Sequence, residues 1–271
     1  MNKSDIEPAI KLTADEKWYL TEFDLELYLD EDKGMGTVAV ADGVTVGMAT
    51  AAIYGSSAWI GNVIVKPSLR NLGMGRKLVE AHIDLLREKG VGTFLLYAYD
   101  RSKSLYERMG FRFDARLWEV VINPLPGLPE TGVSHGYDKS VEEADSRFFP
   151  CSRKNVLIHA SRRKGSEVVI HRDGNGNVDG YLFAVFVDNE YGSEVAPFIC
   201  KRDDVAAMLG ASGAGNGVTH LYTPEENMDA VERLGVPFQR VRRIHRGYAG
   251  SPECLPNLGP EVMSAGFLET G

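Results

Sequence analysis

Apolar and polar residues from Thr37 onward form short β-rich runs: Thr37–Ala41, an Asp42-Gly43 turn, Thr45–Tyr54, a Gly-Ser turn, and Ala58–Lys66 ending at Pro67. This pattern predicts a three-strand meander. The period then changes. From Gly75 to about Lys89, the residues Leu78, Val79, His82, Ile83 and Leu86 recur at helical spacing, and Gly90 provides a stop, which predicts an amphipathic helix. A strand at Thr93–Tyr99, a short helix at Ser102–Met109 closed by Gly110, and a strand at Phe111–Ile122 complete the order βββαβαβ. Upstream, Ile6 to Leu12 reads as helix.

The stretch Pro124-Leu-Pro-Gly-Leu-Pro129, followed by Gly132 and Gly136, suits neither a helix nor a central strand and predicts a boundary. Beyond a helix near Arg153–Arg163, strands are expected at Glu167–Arg172, Val178–Asp188 and Glu194–Lys201, then a helix at Asp203–Leu209. A strand at Val218–Thr223, a helix at Pro224–Leu234 and a strand at Phe238–Arg246 repeat the order. Glu107-Arg-Met-Gly110-Phe-Arg-Phe113 aligns with Glu232-Arg-Leu-Gly235-Val-Pro-Phe238, sharing Glu, Arg, Gly and the final Phe, so duplication is the working reading; a common glycine helix stop is the alternative. The expected division is residues 1–124, a linker 125–145, a second unit 146–248 and a tail 249–271. The Pro- and Gly-rich stretch Gly250–Gly271 is expected to be disordered or to dock on a partner chain.

With 271 residues, 44% hydrophobic and 25% charged, each half is able to bury a core. The net charge of -8 argues against general nucleic-acid or anionic-membrane binding, so any polyanion needs a local patch. Cys151, Cys200 and Cys254 are widely spaced without a CxxC pair, which suggests neither a disulfide framework nor a zinc site and fits a reducing cytoplasm. The first twenty residues carry seven charges and no apolar run for a secretory signal. The uncharged stretch Val44–Val65 is broken by Gly55-Ser56-Ser57 and suits two strands better than a membrane helix.

The informative chemistry lies at the first strand-to-helix junction. Val63, Ile64 and Val65 lead through Arg70, Asn71, Leu72, Gly73, Met74, Gly75 and Arg76 into the amphipathic helix. Such a turn aims free N–H groups outward, and glycine at alternate positions lets a bulky anion approach the backbone. Arg70, Arg76 and Lys77 add cations, so a pyrophosphate suits the junction. The dinucleotide GxGxxG pattern fails at its third glycine, where Leu78 stands, and a Walker Gly-Lys-Ser/Thr is missing.

Arg70-Asn-Leu-Gly73-Met-Gly75 resembles the Arg/Gln-x-x-Gly-x-Gly/Ala signature of the GNAT acetyltransferases, and Leu105-Tyr106-Glu-Arg-Met-Gly110-Phe111 resembles that family's Leu-Tyr-x-x-x-Gly-Phe helix end. The resemblance covers roughly residues 15–122, and extends to the second copy in topology only. It implies a mixed α/β fold of two GNAT-like domains, each a mostly antiparallel mixed sheet flanked by helices. It implies acetyl-CoA as the bound cosubstrate, a small-molecule amine or peptide as acceptor, transfer by direct attack, and no metal. Val63–Val65 would bond the pantetheine arm, Arg70–Arg76 the pyrophosphate, and Tyr106 would protonate the departing thiolate. Packing of its ring is the alternative role for Tyr106.

Three positions depart from the family pattern. Gly61 and Asn62 stand where many relatives carry a carboxylate base, leaving the base unidentified. Tyr99 replaces an asparagine that contacts the pantetheine arm, with Asp100 and Arg101 as substitutes, and the opening strand reads as helix. Trp18, Glu16, Glu22 and Asp24 are candidates for an acceptor pocket, an amphipathic face being the alternative. The second copy has Val231 in place of the tyrosine and Lys201-Arg-Asp-Asp204 in place of the glycine loop, and is expected to bind no CoA. Gly210–Gly217 reads as a flexible connector, Asp173–Asn177 as a hairpin turn rather than a calcium loop, and the six histidines as packing or surface residues. A non-catalytic acyl-CoA-binding regulator and a nucleotide-binding protein stay open beside the enzyme, as does a homodimer.

Overall fold

Asp42 and Gly43 take positive φ values of 50° and 76°, so the chain reverses in two residues and pairs β1 (Gly34–Ala41) with β2 (Val44–Tyr54). A second tight turn at Gly55-Ser56 adds β3 (Ser57–Val65), completing the expected meander. This is a computed structural model that describes residues 1–124, 132–266 and 270–271. The connection Leu125–Pro129 therefore lies outside the described residues.

The amphipathic segment forms α3 (Met74–Glu88), and it buries the five residues of the predicted stripe, Leu78, Val79, His82, Ile83 and Leu86. Next come β4 (Thr93–Tyr99), α4 (Asp100–Glu107) and β5 (Arg112–Ile122). The opening segment folds as α1 (Ile6–Ala14), followed by a short α2 (Glu22–Glu26). One face of β2–β4 packs Met48, Ala52, Trp59 and Leu95 with Ile6 and Leu25 of these first helices. The opposite face packs Ala51, Ile60, Phe94 and Leu96 with α3, Tyr106 and Phe111.

The second copy repeats the plan with β7 (Ser166–Arg172), β8 (Val178–Asp188), β9 (Gly192–Ile199), α7 (Val205–Ala211), β10 (Thr219–Pro224), α8 (Met228–Glu232) and β11 (Phe238–Ala249). The helix predicted from Pro224 to Leu234 shrinks to α8 because a 3-10 turn occupies Glu225–Asn227. Between the copies lie β6 (Val133–His135), which pairs antiparallel with β7, then α5 (Ser140–Asp145) and α6 (Lys154–Arg162). Sequence periodicity does not announce β6 and α5, which are too short to show a period.

Each half has the expected mostly antiparallel mixed sheet, with β3–β4 and β9–β10 as the parallel pairs, but the halves exchange their last strands. The sheet runs β1-β2-β3-β4-β11-β5-β10-β9-β8-β7-β6. Thus β11 pairs with β4 of the first half, β5 pairs with β10 of the second, and β5 and β11 pair with each other. The exchange covers two edges that would otherwise present unpaired backbone groups.

Two expectations are corrected. The tail does not detach: β12 (Val262–Ser264) pairs with β9, and Nδ2 of Asn227 donates to the carbonyls of Gly259 and Val262, each at 2.9 Å. The Gly210–Gly217 segment is not a flexible connector. Gly213–Asn216 forms a 3-10 turn with Ala214 and Gly215 buried, and the Gly213 amide donates to Glu167 at 2.6 Å. Asp173–Asn177 is the hairpin turn expected, closed by Asp173 Oδ1 accepting from the amides of Asn175 and Asn177.

Candidate active site

Parallel pairing of β3 with β4 stops at Ile60 opposite Leu96. Beyond that point the strands diverge, because a bulge in the β2–β3 ladder between Met48 and Thr50 turns β3 away, with Asn62 at φ 48° inside the bulge. Asn62 Nδ2 donates to Thr50 Oγ1 at 3.1 Å and fixes the kink. The edge of β3 from Gly61 to Val65 that faces β4 is therefore left without ladder partners there.

This gap opens into a cavity of about 910 Å³, lined at one end by Val63, Ile64, Val65, Arg70, Asn71, Gly73, Gly75, Arg76 and Tyr106. Leu72 and Met74 do not line it; Leu72 points to solvent at 71% exposure, and Met74 packs beside Ala49, Val65 and Leu78. Gly73 is the N-cap of α3 and carries no side-chain cap. Among the described residues, no protein acceptor is found for the amides of Asn71 to Arg76. Asn71 and Gly73 hold φ of 63° and 79°, and a Cβ at Gly73 would meet nothing within 4 Å. The junction is thus an uncapped helix N-terminus with an open glycine face, the arrangement that binds phosphate.

Its arginines divide the work differently from the sequence expectation that all supply cation to the anion. Arg70 donates through Nε to the Val65 carbonyl at 2.8 Å and through Nη2 to Glu16 at 2.6 Å, so it ties the loop to the end of β3. That hydrogen bond holds the Glu16 carboxyl below the usual range despite partial burial. Arg76 pairs with Glu80 on the exposed face of α3 at 2.7 Å.

Tyr106 sits on α4 at the cavity wall, 6% exposed, edge-on to Phe111 at 5.7 Å. Burial pushes its phenol up to about 12. Asp100 is engaged by His245 Nε2 at 2.5 Å, leaving Tyr99 and Arg101 as the neighbours that reach the cavity.

The far end of the cavity is built from both copies. Trp18 and Asp24 line the cavity as expected, as does Glu16, which stands beside Arg70 of the loop, whereas Glu22 does not. The second copy contributes Arg163, Val187, Tyr191, Glu194, Tyr222 and Arg242, which the sequence reading does not single out; their distance along the chain gives no signal of convergence. Arg242 follows a bulge in β11 between Arg240 and Arg242, which re-aims it to ion-pair with Glu119 and to cover the Tyr99 ring at 4.4 Å. Glu119, 2% exposed, also meets His220 Nδ1 at 3.2 Å; burial opposes its ionisation, but His220 and Arg242 outweigh it and lower its pKa.

The equivalent gap in the second copy is filled. The β9–β10 pairing covers only Ser193–Thr219 and Glu194–His220, and β12 lies in the space beyond, pairing with β9 while Ser264 Oγ accepts from the Tyr222 amide at 2.9 Å and the Ala265 amide donates to the Tyr222 carbonyl. Asp203 and Asp204 add negative charge before α7, and Lys201 is held by Asp179 at 2.6 Å. His171, Asp179 and Asp204 place ligand atoms within 4.8 Å of one another, but Lys201 already neutralises Asp179 there.

Comparison with known proteins follows the two copies. Residues 5–111 match the model described as the Acetyltransferase (GNAT) family, and residues 141–255 the model described as an Acetyltransferase (GNAT) domain. A candidate acetyltransferase from Pyrococcus horikoshii superposes with a TM-score of 0.82 over 100% of this chain and 94% of its own, at 21% identity. A tandem GNAT protein from the clavulanic acid biosynthesis pathway superposes at 0.60 over 92% of this chain and 97% of its own, at 16% identity. Serotonin N-acetyltransferase 2, chloroplastic, of Oryza sativa subsp. japonica is 37% identical over 75 residues, 27% of this chain and 36% of its own length. A candidate acetyltransferase of Bacillus subtilis is 28% identical over 75 residues, 28% of this chain and 51% of its own. The chain thus spans about a third to a half of these curated relatives. No helix among the described residues is long and apolar enough to cross a membrane. With residues 5–111 and 141–255 both matched, this chain belongs to the GNAT acetyltransferase family as a tandem member.

Proposed function

We propose that the protein is an acetyl-CoA-dependent N-acetyltransferase with one cosubstrate site, in the first copy. The observation that carries this reading is the uncapped, glycine-opened junction of β3 and α3 at the mouth of the strand gap. The donor set fits the cosubstrate: consecutive amides from Asn71 to Arg76 suit a diphosphate, and the unpaired edge of β3 suits the amides of a pantetheine arm. When bound, acetyl-CoA supplies an activated acyl thioester.

The chain's own residues then position and polarise. The edge amides of Val63–Val65 orient the carbonyl and stabilise charge that develops on its oxygen. The cavity holds the acceptor nitrogen against it, replacing a bimolecular encounter by a fixed geometry. Tyr106 is protonated at physiological pH as any phenol is, and because burial raises it to about 12 it gives up its proton to the leaving sulfur only as the site stabilises the phenolate that forms. Catalysis of this kind needs no metal ligand from the chain.

Calorimetry with CoA, followed by thiol release in the presence of acetyl-CoA and a panel of amines, tests the reading. Binding with one CoA per chain and amine-dependent thiol release are expected. No heat with CoA overturns it, and tight binding without turnover on any amine converts the protein to an acyl-CoA sensor.

A further inference from the structure

Where the second copy borders the cavity, Arg242, Arg163 and Lys17 of its wall are each matched by an acid. Arg242 pairs with Glu119, Arg163 with Asp24 at 2.9 Å, and Lys17 with Glu190 at 3.2 Å. An incoming carboxylate or phosphate has to displace one of these acids. The rest of the wall is aromatic: Tyr19 lies 5.3 Å from Tyr191, Tyr191 stacks on His220 at 3.8 Å, and the Tyr191 and Tyr222 hydroxyls meet at 3.5 Å. Into this ring of tyrosines β9 delivers the Glu194 carboxylate. Glu194, Tyr19, Tyr191 and Tyr222 line one cavity, and, after burial, the charge of Glu194 raises the phenols of both Tyr191 and Tyr222. No carboxylate stands on β3, where Gly61 and Asn62 lie.

We infer that the degenerate second copy supplies the acceptor half of the active site, with Glu194 receiving the ammonium of a cationic primary amine whose apolar or aromatic body lies against Tyr19 and Tyr191. This deepens, and rests on, the acetyl-transfer reading above. An ammonium gains from a carboxylate and from ring faces at once, whereas an amino acid adds a carboxylate that has to displace Glu119 from Arg242 or Asp24 from Arg163 to find a cation there. Glu194 takes one proton from the ammonium, and the freed lone pair bonds to the acyl carbon as the carbon–sulfur bond breaks. Of the two protons the nitrogen sheds overall, one ends on the thiol and one in solvent.

The test uses the full chain and keeps the two readings apart. CoA binding is measured first by calorimetry on the wild type and on Glu194→Gln, with equal affinity expected because Glu194 stands on β9 of the second copy and supplies none of the amides of the β3–α3 junction. Absence of CoA heat in the wild type overturns the acetyl-transfer reading itself. Tyramine and tryptamine are then compared with tyrosine and tryptophan as acceptors of the wild type, a comparison that needs no variant. The decarboxylated amines are expected to show at least tenfold higher kcat/KM, and Glu194→Gln to lower kcat with tyramine by about a hundredfold. Tyramine binding to the CoA-loaded protein, measured by calorimetry, is expected to weaken at least tenfold in the variant. Intact CoA binding with equal or better use of the amino acids, no binding of either amine, or wild-type kinetics in Glu194→Gln overturns the acceptor assignment and leaves the cosubstrate site standing.

Discussion

Tyr106 and His82 show how one physical cause, burial, serves two ends. Burial pushes the Tyr106 phenol up to about 12, so it stays neutral but is a weaker acid than a free phenol, next to a cavity where a thiolate would leave. Tyr106→Phe keeps the ring contact with Phe111 and removes only the proton. It is expected to lower kcat by about a hundredfold with unchanged CoA affinity; an unchanged kcat assigns the residue to packing alone. His82 on α3 is fully buried, meets Thr37 Oγ1 at 2.8 Å, and burial depresses its pKa to about 4. Because that value lies below the usual 6.5, the unfolded chain takes up a proton before the folded one does. Its contribution is therefore intact above pH about 6.5 and lost as pH falls toward 4, up to roughly 3 kcal/mol at about 1.4 kcal/mol per pH unit. Urea unfolding of His82→Gln across that range is expected to show a correspondingly shallower loss of stability. At this scale the sequence is legible where a motif is contiguous: Arg70, Asn71, Gly73, Gly75 and Tyr106 all reach one cavity. The roles of the arginines are not legible, since nothing local to Arg70 reveals that Glu16 neutralises it.

Among elements, the β3–α3 junction depends on backbone conformation more than on side chains. Gly73 sits at φ 79° with open space around it, so an added methyl clashes with nothing yet strains the backbone by about 1 kcal/mol. Gly73→Ala is expected to leave the unfolding midpoint within a few degrees of wild type and to weaken CoA binding at least tenfold, because the donor array is re-aimed; calorimetry beside a thermal melt separates the two effects. Strand and helix positions follow from periodicity because hairpin turns and a five-residue apolar stripe are local signals. The tail is different. Nothing within Gly250–Gly271 encodes its fate, which is set by an open gap between β9 and β10 and by Asn227, whose amide meets two tail carbonyls.

For the whole molecule, the exchange of β5 and β11 joins the copies into one sheet. A chain cut after residue 124 loses the strand that covers β4 and leaves that edge exposed. Residues 1–124 alone are expected to aggregate and bind no CoA, while co-expression with the remaining residues restores binding. In the intact protein, fluorescence and circular dichroism are expected to report one coincident transition; two resolved transitions contradict the coupling. The exchange also brings Arg242 of β11 to the cavity beside Tyr99, so the C-terminal copy contributes to the wall of a cavity whose glycine loop it lacks.

The chain's own order of residues determines the repeated βββαβαβ plan, the amphipathic helix and the phosphate-suited turn, since each depends on neighbours within a few positions. Only the tertiary structure decides which copy keeps an open cleft, which strand covers which edge, and which acids meet which arginines. Those outcomes depend on groups more than a hundred residues apart, as Glu119 and Arg242 are. Spacing along the chain carries no record of such encounters; packing and the need to pair every buried charge and strand edge produce them.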